Sequence, residues 1–123
     1  RVLLIEDEPN IAEAISFILT RDGCEVACHS DGSGAFDRIR AAMPDLVILD
    51  LMLPGRSGLE ILTDLRADPA TRALPVMMLT AKGQGRDREA AERAGVNRFM
   101  TKPFSNDDMR AAVRELTLGR AAS

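Results

Sequence analysis

Leu46-Val47-Ile48-Leu49-Asp50 is a run of four large or branched apolar residues that ends abruptly on a carboxylate. Four residues are too few for a core helix, and there is no polar alternation to give one wet face. The run therefore reads as a strand buried on both sides, the signature of an interior strand in a parallel sheet covered by helices. Two other stretches have the same character, Val2 to Ile5 (VLLI) and Val76 to Leu79 (VMML). Glu25 to Cys28 and Arg98 to Met100 are more mixed and suit the edges of the same sheet.

Between these runs the apolar period changes from continuous to helical. The predicted helices are Asn10 to Arg21, Gly34 to Ala42, Gly58 to Arg66, Arg86 to Ala94 and Asn106 to Leu116. Ile11, Ile15, Ile18 and Leu19 form one apolar stripe, and Ile61, Leu62 and Leu65 form another. Asp22-Gly23, Asp31-Gly32 and Ala94-Gly95 supply stops, Pro44 and Pro75 precede strands, and Ser105 with Asp108 resembles a capping box. A βα unit repeated five times, with right-handed crossovers, predicts an α/β (βα)5 doubly wound, flavodoxin-like parallel sheet of strand order 2-1-3-4-5.

The 123 residues and 13.4 kDa suit one domain, and 46% hydrophobic with 28% charged residues is a globular balance. The net charge of −3 leaves no basic surplus for a phosphate backbone, so direct nucleic-acid binding is not expected. No run approaches the roughly 18 apolar residues of a membrane span, which points to a cytoplasmic protein with no membrane association. The chain opens on Arg1 rather than Met, so flanking sequence is expected, and residues 119–123 read as a C-terminal tail or the start of a linker after a domain of residues 1–118. Cys24 and Cys28 are about 13 Å apart along a strand, beyond the reach of a disulfide, and are expected to be buried. His29, the one histidine, sits beside Cys28, but zinc needs three or four ligands and the usual histidine-based hydrolytic sites need a second partner.

In such a sheet the ligand site lies outside the carboxyl ends of the strands. Glu6 and Asp7 follow the first run, Asp50 the third, Thr80 the fourth, and Lys102 the fifth. Three carboxylates, a hydroxyl and an ammonium are thus expected on one edge. Crowded carboxylates repel, and a hard divalent cation with oxygen ligands, Mg²⁺ best of all, relieves that repulsion. A carboxylate can accept a phosphoryl group, and phosphoryl transfer needs charge neutralisation more than proton traffic.

These residues lie in stretches that resemble the receiver domain of two-component response regulators: Ile5-Glu6-Asp7-Glu8, LVILDLMLPGRSGLE from Leu46 to Glu60, LPVMMLTA from Leu74 to Ala81, and FMTKPF from Phe99 to Phe104. The resemblance implies that Asp50 is the phosphoacceptor, that Asp7 ligates the metal directly with Glu6 acting mostly through water, and that the Met52 carbonyl is a further ligand. It makes Thr80 the switch hydroxyl, Lys102 the phosphate-binding lysine, Phe99 the switch aromatic, and the Lys102–Pro103 bond cis. It implies a signalling domain in a phosphorelay, one that catalyses its own phosphorylation and dephosphorylation but is not otherwise an enzyme. The partners it implies are a histidine kinase or histidine phosphotransferase, an output domain or partner protein, and a second copy through the face of helix 4, strand 5 and helix 5. Departures from the family pattern are Glu-Asp in place of Asp-Asp, apolar Met52 and charged Lys82 at positions that influence the phosphoryl lifetime, and Val96-Asn97-Arg98 where acidic residues are common. Two alternatives stay open: a haloacid-dehalogenase-type phosphohydrolase, which would need an Asp where Met52 stands, and a pseudo-receiver that only binds a partner.

Overall fold

A computed structural model describes residues 1–81 and 85–121. In chain order the elements are β1 (Val2–Ile5), α1 (Pro9–Arg21), β2 (Val26–His29), α2 (Ala35–Ala42), β3 (Leu46–Asp50), α3 (Gly58–Ala67), β4 (Val76–Thr80), α4 (Gly85–Ala94), β5 (Arg98–Thr101) and α5 (Asn106–Ala121). The strands form one parallel sheet in the order β2-β1-β3-β4-β5. Fold class and strand order are those expected from the alternation of runs.

The period of two along each strand divides the core between two faces. Leu3, Ile5, Val47, Leu49, Val76 and Met78 point to one side, where Ile39 of α2, Ile61, Leu62 and Leu65 of α3, and Ala91 of α4 cover them. Val2, Leu4, Leu46, Ile48, Met77 and Leu79 point to the other, under Ile15, Ile18 and Leu19 of α1 and Met109, Ala112 and Val113 of α5. Because β1, β3 and β4 are buried residue by residue, neither face could tolerate a polar residue before the strand ends.

Element boundaries moved where local chemistry allows one more residue. β3, β4 and β5 each run one residue beyond their apolar stretch, to Asp50, Thr80 and Thr101, because the backbone ladder continues past the last apolar side chain; the Lys102 N–H still donates to the Thr80 carbonyl at 2.7 Å. α1 starts at Pro9, whose fixed φ and missing N–H suit the first helical position. α5 continues beyond Leu116 to Ala121. The expected burial of both cysteines is not found: Cys24 is half-buried and Cys28 exposed, and both are free. β2 is an edge strand, so Ala27 and Cys28 in its middle are exposed and Val26 and His29 at its ends are only half-buried.

The end of the sheet opposite the acidic residues is tied by Arg66 in the last turn of α3. Its guanidinium donates to the carbonyl oxygens of Leu74 (2.8 Å) and Gly95 (2.9 Å) and to Asn97 Oδ1 (2.9 Å), and the same Asn97 oxygen accepts from the Val76 N–H at 2.8 Å. One cation thus joins α3 to the entrances of β4 and β5, and burial pulls its pKa below that of a free guanidinium. Arg66→Met keeps much of the stem packing but leaves these acceptors without their donor. The variant should lose about 2 kcal/mol of stability and melt about 8 °C lower. Thermal denaturation by circular dichroism reads this directly, and an unchanged midpoint would show that the clamp contributes nothing.

Candidate functional site

Parallel strands share a direction, so the residues following β1, β3, β4 and β5 emerge at one edge. Glu6 and Asp50 are buried there, Asp7 is exposed beside them, and the three offer carboxylate oxygens that all lie within 4.8 Å of one another. Lys102 reaches back from the end of β5 to form a forked ion pair, its Nζ 2.8 Å from Glu6 Oε1 and 3.1 Å from Asp50 Oδ2. The second oxygen of Asp50 accepts the Met52 N–H at 3.2 Å, and Glu6 Oε2 accepts the Glu8 N–H at 3.3 Å. Thr80 is buried one position past Leu79, the register partner of Asp50. Glu6, Asp7, Asp50, Thr80 and Lys102 therefore all lie at this edge, on or just past the ends of four strands.

The electrostatics are those of an anionic pocket with one cation. Burial, together with the neighbouring Asp50 carboxylate and against the pull of Lys102, raises the Glu6 pKa to about 7. Burial also pulls the Lys102 ammonium down, but its bonds to Glu6 and Asp50 outweigh that and hold it above the usual lysine range. Three carboxylates against one ammonium leave two uncompensated negative charges when all are ionised, which a divalent cation matches. The donor set is all oxygen, one ligand is solvent-facing, and the oxygens are already close, so the residues fit a hard cation that keeps some of its waters.

Backbone packing holds the loop after Asp50 in place. Gly58 opens α3 against the end of β3, its N–H donating to the Leu51 carbonyl at 2.9 Å, and a Cβ placed on it would lie 2.3 Å from the Asp50 carbonyl oxygen. Ser57 and Glu60 cap this helix reciprocally, Ser57 Oγ accepting the Glu60 N–H and Glu60 the Ser57 N–H. The Ser-x-x-Glu spacing before Ile61-Leu62 is a sequence signal for this cap, whereas the predicted box at Ser105 has only its Ser105–Asp108 half. Gly58 carried no signal, because only its proximity to β3 makes it special.

The other expected residues are placed as follows. Met52 is 74% exposed, two residues after Asp50. Phe99 is half-buried on β5 with the Arg88 guanidinium 6.0 Å above its ring. The Lys102–Pro103 peptide is cis, as the resemblance implied. Lys82 lies outside the described residues.

The pattern of the response regulator receiver domain matches residues 2–114. The chain belongs to that family. It is 37% identical over 114 residues to the phosphate regulon transcriptional regulatory protein PhoB of Escherichia coli strain K12, covering 93% of this chain and 50% of that protein. It is 39% identical over 114 residues to the DNA-binding response regulator MtrA of Mycolicibacterium smegmatis, covering 93% and 49%. Among solved structures, the signal receiver domain of a signal transduction histidine kinase from Syntrophus aciditrophicus superposes with a TM-score of 0.88 at 30% identity, covering 96% of this chain and 89% of that one. The receiver domain described here spans about half the length of the curated relatives it matches. It is a signalling domain of the two-component type, and the phosphohydrolase and pseudo-receiver alternatives are not favoured. Its clustered Glu6, Asp7 and Asp50 occupy the metal site of such domains, and no helix among the described residues is long and apolar enough to cross a membrane.

Proposed function

We propose that this receiver domain accepts a phosphoryl group on Asp50 in a Mg²⁺-dependent reaction and changes its surface in response. The observation that supports this most directly is the fork of Lys102 between Glu6 and Asp50 beside an all-oxygen cluster. Glu6, Asp7, Asp50 and the Met52 carbonyl would hold the ion, Asp7 directly and Glu6 mostly through water; bound there, it neutralises charge on the transferring phosphoryl group. An Asp50 oxygen attacks phosphorus, the bond to the donor breaks, and its electron pair leaves with the donor. Lys102 then binds a phosphoryl oxygen, and the Thr80 hydroxyl donates to another. The donor would be a phosphohistidine on a histidine kinase or phosphotransferase. Residues 1–118 would form the receiver, 119–123 a tail or the start of a linker to an output domain, and the protein would be cytoplasmic. Intact mass spectrometry after incubation with acetyl phosphate tests the reading: one phosphoryl group should add with Mg²⁺ present and none with excess chelator. No Mg²⁺-dependent adduct would sink it.

Asp7→Asn removes one charge from the solvent side of the cluster. Its Mg²⁺ affinity should fall at least about tenfold, while the metal-free protein should melt no lower than the parent, since one of three clustered carboxylates is gone. Thermal melts across a Mg²⁺ titration check both halves, and a parent-like Mg²⁺ response would remove Asp7 from the ligand set.

The surface change is assigned to Thr80 and Phe99. Movement of the Thr80 hydroxyl toward a phosphoryl oxygen would free space for the Phe99 ring to turn inward, a burial worth about 1.5 to 3 kcal/mol and enough to bias a two-state surface. The face of α4, β5 and α5 would then carry the signal to an output or a second copy. Thr80→Ala should still be phosphorylated but should lose the change in amide exchange over Gly85 to Leu116 on adding beryllium fluoride. A full exchange response in Thr80→Ala would place the coupling elsewhere.

A further inference from the structure

We propose that His29 is a positioning residue for the metal site: its side chain fixes the β2–α2 loop, and that loop fixes the direction of the Met52 carbonyl. The inference rests on the Mg²⁺ site proposed above. Met52 lies in the connection from β3 to α3, which is anchored on either side of it. Before Met52, the Leu51 N–H donates to the Leu79 carbonyl at 2.8 Å, and the Leu51 carbonyl accepts the Gly58 N–H at 2.9 Å. After it, the Pro54 carbonyl accepts the Gly32 N–H at 2.8 Å. With only Met52 and Leu53 between the anchors, few backbone dihedrals are left to set where the Met52 carbonyl points.

The second anchor belongs to the β2–α2 loop, which is pressed against the turn from Pro54 to Arg56. Gly32 is buried, and a Cβ placed on it would lie 2.0 Å from the Arg56 carbonyl oxygen. A Cβ on Gly55 would lie 2.4 Å from Ser33 Oγ. Contact this close leaves little play between the two loops, so a shift of one is passed to the other.

His29 closes the β2–α2 loop from a fixed strand end. Its carbonyl accepts the Glu6 N–H at 3.0 Å, and its Nε2 lies 2.9 Å from the Ser33 carbonyl oxygen and 3.6 Å from Asp31 Oδ1. Both neighbours of Nε2 are acceptors, so this nitrogen carries a proton and donates to Ser33. Asp31 Oδ1 is buried and accepts no hydrogen bond among the described residues, and the polar edge of the ring is what faces it. The ring thus brackets Gly32, the residue that donates to Pro54. Without it the loop loses the side-chain bond that closes it, and the Gly32 N–H no longer holds Pro54 in one place. The Met52 carbonyl then samples several directions, which weakens its hold on a cation while Glu6, Asp7 and Asp50 are untouched.

Calorimetric titration of the unphosphorylated chain with magnesium chloride tests this, beside acetyl phosphate labelling across a range of Mg²⁺ concentrations. His29→Ala should raise the Mg²⁺ Kd about fivefold, while the labelling rate at saturating Mg²⁺ stays within about twofold of the parent. His29→Gln, whose side-chain amide can donate to the Ser33 carbonyl from nearly the same place, should keep the Kd within about twofold. Gly32→Ala forces the loops apart and should raise the Kd as His29→Ala does, whereas Ser30→Ala, at an exposed position, should leave it unchanged. A merely structural histidine would lower the melting midpoint without moving the Kd. A parental Kd in His29→Ala, or a Kd in His29→Gln as high as in His29→Ala, would overturn the proposal and leave the Mg²⁺ site standing. A parent chain that binds no Mg²⁺ would remove the site and the proposal together.

Discussion

Asp50→Asn should take up no phosphoryl group from acetyl phosphate and Mg²⁺, a fall of at least about a thousandfold in labelling rate that intact mass spectrometry will read as complete loss. In the proposed reaction the carboxylate is the nucleophile, and a neutral amide has neither its charge nor its lone-pair reactivity. The substitution also withdraws one of the three clustered carboxylates that would hold a metal ion. The fold should survive, because Asn has nearly the same shape and its carbonyl oxygen can still accept the Met52 N–H, while Lys102 keeps its 2.8 Å partner in Glu6. A melting midpoint close to the parent with no adduct isolates chemistry from folding. Labelling of Asp50→Asn at the parental rate would move the acceptor to another residue.

Gly58→Ala should be among the most damaging single-methyl additions in the molecule. The new Cβ would lie 2.3 Å from the Asp50 carbonyl oxygen and 3.0 Å from Leu51 Cα, and both neighbours are backbone of the loop that positions the acceptor. Neither can move aside by changing a rotamer, so either α3 or the end of β3 must shift. Overpacking of this kind costs about 3 kcal/mol, which corresponds to a midpoint about 12 °C lower. The displaced acceptor should also be phosphorylated several times more slowly. Gly85→Ala is the control, since nothing lies within 4 Å of the position where its Cβ would stand, and its midpoint should not fall. A Gly58→Ala midpoint within 2 °C of the parent, read by the same melts, would show that the close approach is relieved without strain.

The aspects of this protein legible in its sequence are those set by local patterning. Four-residue runs apolar on both faces, such as VLLI and LVIL, can be stable only inside a sheet covered on both sides, so they mark the central strands. The same logic located Glu6, Asp7, Asp50, Thr80 and Lys102 at one edge, because parallel strands must deliver their C-terminal residues together. The ends of β3, β4 and β5 lie one residue further on because ladder hydrogen bonds continue regardless of side-chain polarity, as at Thr80 and Thr101.

Relations between residues far apart in sequence emerge only in the folded chain. The strand-end pattern puts Lys102 with three carboxylates, but its division between Glu6 and Asp50, across 96 and 52 positions, follows from how β5 is brought beside the other strand ends. Burial, not sequence position, lifts the Glu6 pKa to about 7. Gly58 matters because α3 returns against β3, Arg66 because three separate segments end beside it, and Cys28 is exposed because β2 lies at the sheet's edge. Period and polarity are properties of neighbours along the chain and can be read in order. Close approach, desolvation and shared partners arise only when packing brings distant segments into one volume, where the dielectric is low and atoms exclude one another.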